Sequence, residues 1–181
     1  MSAVFDTTEI EPEKYSKLAV SLHWIMALLV LVMIPLGWYM MEIEDNPGSD
    51  WYFMLHKSLG LVFFLLLLVR FFWRLTHKAP PSESNTWQDK AAKVVHFLLY
   101  TVMFALPILG LIGAQLSEEG VSFFGIALPH FLTPNDDLAE VFFELHGIGA
   151  WVLIGLVAIH TGAALKHLFL DKDGVFQRMW F

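Results

Sequence analysis

Residues 146–160 read HGIGAWVLIGLVAIH, with a histidine at each end and thirteen uncharged residues between them. In an α-helix, fourteen steps of about 1.5 Å would separate His146 and His160 by about 21 Å along the axis. Fourteen steps of about 100° leave both histidines on one helix face, about 40° apart. Small residues follow the histidines on that face: Gly149, Ala150, Ala163 and Ala164. The pattern predicts a membrane helix that holds one large, flat cofactor near each side of a bilayer.

The composition is that of a membrane protein. Of the 181 residues, 56% are hydrophobic and 16% are charged, whereas soluble domains are about 45–50% apolar with glycine included. The mean hydropathy is +0.57. The chain has no cysteine, which excludes disulfides, iron–sulfur clusters, thiolate zinc sites and covalent haem attachment through C-x-x-C-H. Any haem in this chain would therefore be held non-covalently.

Four apolar runs are long enough to cross a bilayer, since a membrane helix needs about 20 residues. The runs cover residues 18–41, 53–75, 91–116 and 141–170. We therefore predict an all-α membrane protein, a bundle of four transmembrane helices in one domain at residues 18–170. Residues 1–17 are polar and acidic, unlike a signal peptide. We expect them to remain as an amino-terminal segment, with residues 171–181 as a tail.

The charges outside the apolar cores predict the orientation. Ten Lys and Arg residues lie on the side that holds both termini and the second connector: Lys14, Lys17, Arg70, Arg74, Lys78, Lys90, Lys93, Lys166, Lys172 and Arg178. The first and third connectors, with the span ends that face them, carry one lysine, Lys57, and ten carboxylates. Because cytoplasmic loops hold the excess of Lys and Arg, we predict that both termini are cytoplasmic.

Four histidines form two pairs of matched depth in the predicted spans. His23 and His160 lie near the cytoplasmic side, and His56 and His146 lie near the outer side. Ionisable residues in spans are costly and usually functional, and histidine is a common axial ligand of haem. Two bis-histidine sites for b-type haem are the favoured interpretation. Two zinc or copper sites are one alternative, although zinc would usually add Asp, Glu or Cys ligands, and hydrogen-bonded structural histidines are the other.

Further candidates lie near the inner pair. Arg70 is at the cytoplasmic level of the second span, where it would pair with a haem propionate or, alternatively, snorkel as a membrane anchor. His167 lies two turns beyond His160, and His96 lies near the start of the third span. Either would hydrogen-bond a quinone or relay its protons, the alternative being an interfacial structural role. We expect no role for the two connector histidines, His77 and His130.

From residue 15 to the tail, the chain resembles the bacterial cytochrome b561 family. The matching segments are residues 15–18, 21–24, 55–57, 96–100, 105–111, 145–160 and 165–167, and the spacing of their histidines is the specific part. The resemblance implies two non-covalent b-type haems on the histidine pairs named above. It also implies a quinone (ubiquinone) site near the inner haem, involving His167, and a multi-pass location in the bacterial inner membrane.

The resemblance further implies an activity: oxidation of superoxide to dioxygen at the outer haem, with reduction of ubiquinone at the inner one. His167 and Lys57, the outer cation beside His56, are then the catalytic candidates. The outer connectors differ from those of the superoxide-oxidising members, because they are strongly acidic instead of positive. An acidic face repels an anion and suits a basic protein donor.

Two alternatives to the enzyme therefore stay open. The first is an electron-transfer subunit that accepts electrons from a periplasmic redox protein. The second is a non-redox helical bundle, such as a small transporter or an assembly factor. The expected partners are the lipid bilayer, a quinone, and either superoxide or a periplasmic electron-donor protein, with no nucleic acid.

Overall fold

The structure is a computed structural model that describes residues 14–77, 80 and 86–181. Four long helices form most of it: α1 (Lys17–Glu42), α2 (Ser49–Thr76), α3 (Trp87–Leu116) and α4 (Asp136–Lys166). Each is long and apolar enough to cross a membrane. The predicted all-α bundle of four spans is confirmed. Most of the predicted amino-terminal segment, residues 1–13, and Lys78 lie outside the described residues.

Three of the helices begin four or five residues before the apolar runs that predict them. At α3 and α4 a polar cap adds the extra turn, whereas at α2 the N-cap is Gly48, whose φ is +91°. At α3 the Thr86 side chain accepts from the Asp89 N–H, and the Asp89 carboxylate accepts from the Thr86 N–H at 2.8 Å. At α4 the Asn135 side chain accepts from the Leu138 N–H at 3.0 Å. Hydropathy locates the membrane-spanning part of a helix, whereas the cap sets its first residue.

The helices pack as two pairs, α1 with α2 and α3 with α4, and α2 also packs on α3. A cluster of buried side chains from all four helices joins the pairs: Met26, Val30, Phe63, Leu67, Leu99, Leu106, Leu153 and Leu156. Within the described chain, the backbones of α1 and α2 approach α4 less closely than the backbone of α3 does.

Large apolar side chains cover the outside of the bundle. Leu28 and Leu31 of α1, Phe72 of α2 and Trp151 of α4 are each at least 60% exposed. Contiguous apolar surface of this kind marks a membrane or partner contact. On helices of this length it is the surface that faces lipid.

The connector between α3 and α4 is folded against the end of the bundle at which α3 ends and α4 begins. It contains two short antiparallel strands, β1 (Ser122–Phe123) and β2 (Ile126–Ala127). The buried Ser58 hydroxyl of α2 accepts from the Phe124 N–H at 2.8 Å. The buried Gln115 side chain of α3 donates to the Pro129 carbonyl at 3.0 Å and accepts from the Phe131 N–H at 2.8 Å. Buried polar groups on two helices thus fasten the connector.

After α4 the chain continues in a π-helical turn (His167–Asp171) and a short 3₁₀ helix (Phe176–Met179). The tail then returns to the start of α1. The Tyr15 N–H donates to the Arg178 carbonyl at 3.1 Å, and the Trp24 indole N–H donates to the Met179 carbonyl at 2.8 Å. Both ends of the described chain therefore lie on the same side of the bundle, as four spans require.

Candidate functional site

His56 of α2 and His146 of α4 face each other, with ring centroids 6.1 Å apart and ring planes at 78°. The His146 Nδ1 lies 2.9 Å from the Leu106 carbonyl oxygen of α3. A carbonyl oxygen only accepts, so Nδ1 carries the proton and Nε2 keeps its lone pair. A hydrogen bond of this kind orients an imidazole that binds a metal through its other nitrogen.

Glycines seat both of these imidazoles against neighbouring helices. A Cβ atom at Gly110 of α3 would lie 3.1 Å from the Nδ1 and 3.2 Å from the Cε1 of His146. A Cβ atom at Gly37 of α1 would lie 3.2 Å from the Cε1 of His56. Any larger residue would push on the ring. The two glycines therefore help to determine the position of each imidazole ring.

The outer pair fits two axial ligands of one metal. A metal–imidazole bond is about 2 Å long, so two imidazoles on opposite sides of one ion have ring centroids about 6 Å apart. The His56 Nδ1 is also buried and has no hydrogen-bond partner among the described residues. An unpaired buried polar group costs about 1–3 kcal/mol. The described residues thus leave one nitrogen of the His56 imidazole without a hydrogen bond, as expected of a ring that binds a ligand.

The inner pair repeats this separation. His23 of α1 and His160 of α4 have ring centroids 6.1 Å apart and ring planes at 76°. His96 of α3 is also beside His160, at 5.3 Å between centroids. Arg70 of α2 donates to the Ala19 carbonyl, one turn before His23, at 2.8 Å. Side chains from all four helices therefore converge at this level.

Among the described residues, neither pair belongs to a group of three potential ligands close enough together to share one zinc ion. Structural zinc sites have four protein ligands, and catalytic zinc sites have three. In the part of the chain that the structure describes, the one group of three potential ligands is His167, Asp171 and Asp173. That group includes none of the four paired histidines. Paired imidazoles that belong to no such three-ligand group fit a haem better than a zinc ion.

His167 opens the π-helical turn and contacts the tail. Its Nδ1 lies 2.7 Å from the Asp173 carboxylate and 3.4 Å from the Asp171 carboxylate, which pairs with Lys166. The position of His167 in the sequence, just beyond α4, does not predict its contacts with these two carboxylates. The connector histidines have other surroundings: His77 is exposed and stacked on a tryptophan, and His130 is exposed.

Lys57, the cation beside His56, is bound by the third connector. Its Nζ lies 3.3 Å from a Glu119 carboxylate oxygen and donates to the Gly120 carbonyl at 3.1 Å. The side chain is only 19% exposed. The carboxylate compensates the charge of this lysine, so its long-range attraction for an anion is weak.

The comparisons with known proteins agree on one family. A family model for prokaryotic cytochrome b561 matches residues 14–181. The chain is 33% identical over 174 residues to cytochrome b561 homolog 2 of Escherichia coli K12, covering 93% of this chain and 92% of that protein. It is 32% identical over 174 residues to a protein named probable superoxide oxidase CybB in Yersinia pestis, covering 92% and 96%.

The matched region contains all four spans and both histidine pairs. The predicted resemblance and the predicted multi-pass location in the bacterial inner membrane are thereby confirmed. The family also implies a b-type haem, for which the paired imidazoles supply suitable ligands. The chain belongs to the prokaryotic cytochrome b561 family of membrane electron-transfer proteins.

Proposed function

We propose that this cytochrome binds two b-type haems and moves electrons from the periplasmic side of the membrane to the quinone pool. The repeated geometry carries the proposal: two histidine pairs, each with one member on α4, and each with ring centroids 6.1 Å apart. His56 and His146 would hold the outer haem, and His23 and His160 the inner haem. When bound, the haems supply the one-electron chemistry, while the protein fixes their ligands and environment.

The proposed orientation puts the inner pair at the cytoplasmic side. Lys and Arg residues are concentrated on the side that holds both termini, which supports a cytoplasmic location for that side. The contact between Tyr15 and Arg178 keeps the two ends of the chain together there. The carboxylate-rich connectors then face the periplasm.

Three residues near the inner pair receive proposed roles. Arg70 uses one of its N–H groups on the Ala19 carbonyl. A guanidinium has five such groups, so others remain to pair with a haem propionate. His167 would donate a hydrogen bond to a quinone carbonyl. His96, next to His160, would line the same end of the cofactor space.

Superoxide is the electron donor that we propose. Two superoxide anions would each give up one electron and leave as dioxygen, and two protons would complete the conversion of one ubiquinone to ubiquinol. A relative that is 32% identical carries the name probable superoxide oxidase, which supports this donor. Lys57, which follows His56 in α2, would act locally on the arriving anion, with its charge reduced by Glu119.

A basic periplasmic redox protein is the second candidate donor. The outer connectors and span ends hold one lysine against ten carboxylates. Complementary charge speeds the encounter of two proteins, so this surface suits a positively charged partner. In this case the chain would be an electron-transfer subunit of a larger system.

Superoxide generated enzymatically in air should reduce the haems, and superoxide dismutase should abolish that reduction. The rate should rise with ionic strength, because salt screens the repulsion between the acidic surface and the anion. Haem absorbance after rapid mixing measures both effects. Absence of dismutase-sensitive reduction would exclude superoxide and leave the protein donor.

Substituting Gly110 by alanine should weaken the outer haem site. The new Cβ would press on the His146 Nδ1, at 3.1 Å, and disturb its bond to Leu106. Loss of a hydrogen bond that orients a metal ligand typically lowers metal affinity about 10–100-fold. Gly155→Ala is the matched control, because a Cβ there meets no atom within 4 Å. Equal haem retention by the two variants during dilution in detergent would contradict the assignment.

A further inference from the structure

A group of charged side chains follows α4, beyond the histidine pairs. The π-helical turn begins at His167 and ends where Lys172, with φ of +50°, takes a left-handed backbone conformation. The Lys172 N–H donates to the His167 carbonyl at 2.8 Å. This reversal brings Asp173 back against the His167 ring, which lies six residues earlier.

Both carboxylate oxygens of Asp173 are engaged. Oδ2 accepts from the His167 Nδ1–H at 2.7 Å, and Oδ1 accepts from the Val175 N–H at 3.1 Å. A distance of about 2.7 Å is typical of a charge-assisted bond. These two hydrogen bonds fix the carboxylate in place. One of them occupies the Nδ1 atom of His167. The Nε2 atom is left to meet a ligand.

Asp171 has a different function in this cluster. It forms an ion pair with Lys166, and its nearest oxygen is 3.4 Å from the His167 Nδ1. That distance is too long for a good N–H···O bond, for which about 2.7–3.2 Å is usual. One ammonium therefore compensates one of the two carboxylates. A second proton on His167 would balance the other carboxylate, that of Asp173.

We propose that Asp173 is a positioning residue for proton donation to the quinone. It would hold His167 in the Nδ1–H tautomer and stabilise the imidazolium that donates from Nε2. A buried or oriented carboxylate on one imidazole nitrogen has this effect on the other in acid–base catalysis. The inference rests on the proposed quinone site at His167 and adds the group that makes this histidine an effective acid.

The proton balance of the step is simple. One ubiquinone takes up two electrons from the outer donor and two protons, and it leaves as ubiquinol. The Nε2–H bond of His167 breaks as the O–H bond forms at the carbonyl oxygen that accepts its hydrogen bond, and water supplies the proton for the other oxygen. The neutral imidazole then takes a new proton at Nε2 from cytoplasmic water. Asp173 accepts a hydrogen bond from Nδ1–H before and after His167 gives up its Nε2 proton, and it keeps its negative charge.

The test is Asp173→Asn, which removes the charge at nearly constant size. Protein that holds its haems is reduced, mixed with a short-chain ubiquinone at several concentrations, and followed by haem absorbance. We expect the rate at saturating quinone to fall about 10–100-fold, which is less than the about 10²–10⁴-fold that the general acid itself contributes. The half-saturating concentration should change little. Asp173→Glu should recover most of the rate.

Asp171→Asn is the matched control. It removes a carboxylate from the same group of charged side chains, but one that pairs with Lys166. Exposed ion pairs contribute little, so we expect a much smaller loss of rate than in Asp173→Asn. Equal losses in the two variants would indicate a general charge effect and overturn the specific role of Asp173.

Other results separate this inference from the proposed function. A normal saturating rate in Asp173→Asn, or a change in the half-saturating concentration alone, would overturn the positioning role. If the Asp173→Asn protein loses its haems, the Asp173→Glu variant decides the question. A severe loss of rate in Asp173→Glu protein that keeps its haems would also overturn the positioning role. Wild-type haems that ubiquinone fails to oxidise would overturn the quinone site itself.

Discussion

Replacing His146 by alanine should remove the outer haem, leave the inner haem bound, and lower the haem content from two per protein to one. The reason is that the two sites are far apart: fourteen residues of α-helix separate His146 from His160 by about 21 Å along the axis of α4. His56→Ala should give the same result, because His56 is the other member of the outer pair. Haem extracted from the purified protein, divided by protein concentration, measures the content.

The outer pair is the better place for this experiment. At the inner pair, His96 lies 5.3 Å from His160 and offers a substitute imidazole when His23 is removed. His130→Ala is the control, because that histidine is exposed in the outer connector. Equal loss of both haems from His146→Ala and from His56→Ala would contradict two separate sites.

His167→Ala should leave both haems in place and slow quinone reduction. The imidazole lies beyond the end of α4, seven residues after His160, and its ring contacts carboxylates of the tail. Removal of a general acid typically costs about 10²–10⁴-fold in rate. The measurement is oxidation of the reduced haems by a short-chain ubiquinone, with haem content determined on the same sample.

The matched control for His167→Ala is His77→Ala. His77 follows α2, is exposed, and stacks on Trp73. Its variant should oxidise at the wild-type rate. A wild-type rate in His167→Ala would move the proposed quinone site elsewhere, and loss of haem in that variant would give His167 a structural role.

The fold could be predicted from the sequence because the bilayer imposes a strong constraint. Every backbone polar group in the hydrocarbon core must be paired, so apolar runs of about 20 residues become helices. The depth of each histidine then follows from its position in its run, which is why the members of each pair are neighbours in the structure. Helix ends were harder, since caps such as Asn135 lie outside the apolar pattern.

Contacts between helices could not be predicted in the same way. Gly149 was expected to leave room for a cofactor, but a Cβ atom there would lie 2.9 Å from a Leu106 side-chain carbon, so this glycine serves the packing of α4 on α3. Gly110 and the Leu106 carbonyl position His146, although they lie about 40 residues away in the chain. Only the crossing of two helices brings such groups together.

The contacts of Asp173 and Ser58 are even harder to predict from the sequence. Asp173 reaches His167 because Lys172 adopts a left-handed conformation, which residues other than glycine rarely do. Six residues is also not a helical contact spacing. Ser58 is a lone hydroxyl in an apolar helix, and its role in fastening the third connector depends on where that connector folds. Neither contact follows from local pattern.

The most direct test is a spectroscopic redox titration of the purified protein under anaerobic conditions. Reduction with dithionite should produce the absorbance of bis-histidine b-type haem. The titration should resolve two components with different potentials, because the two pairs differ in nearby charge and hydrogen bonding. Arg70 lies beside the inner pair, and the Leu106 carbonyl binds a histidine of the outer pair. A single component with one haem per protein, or no b-type spectrum, would contradict the two-site arrangement.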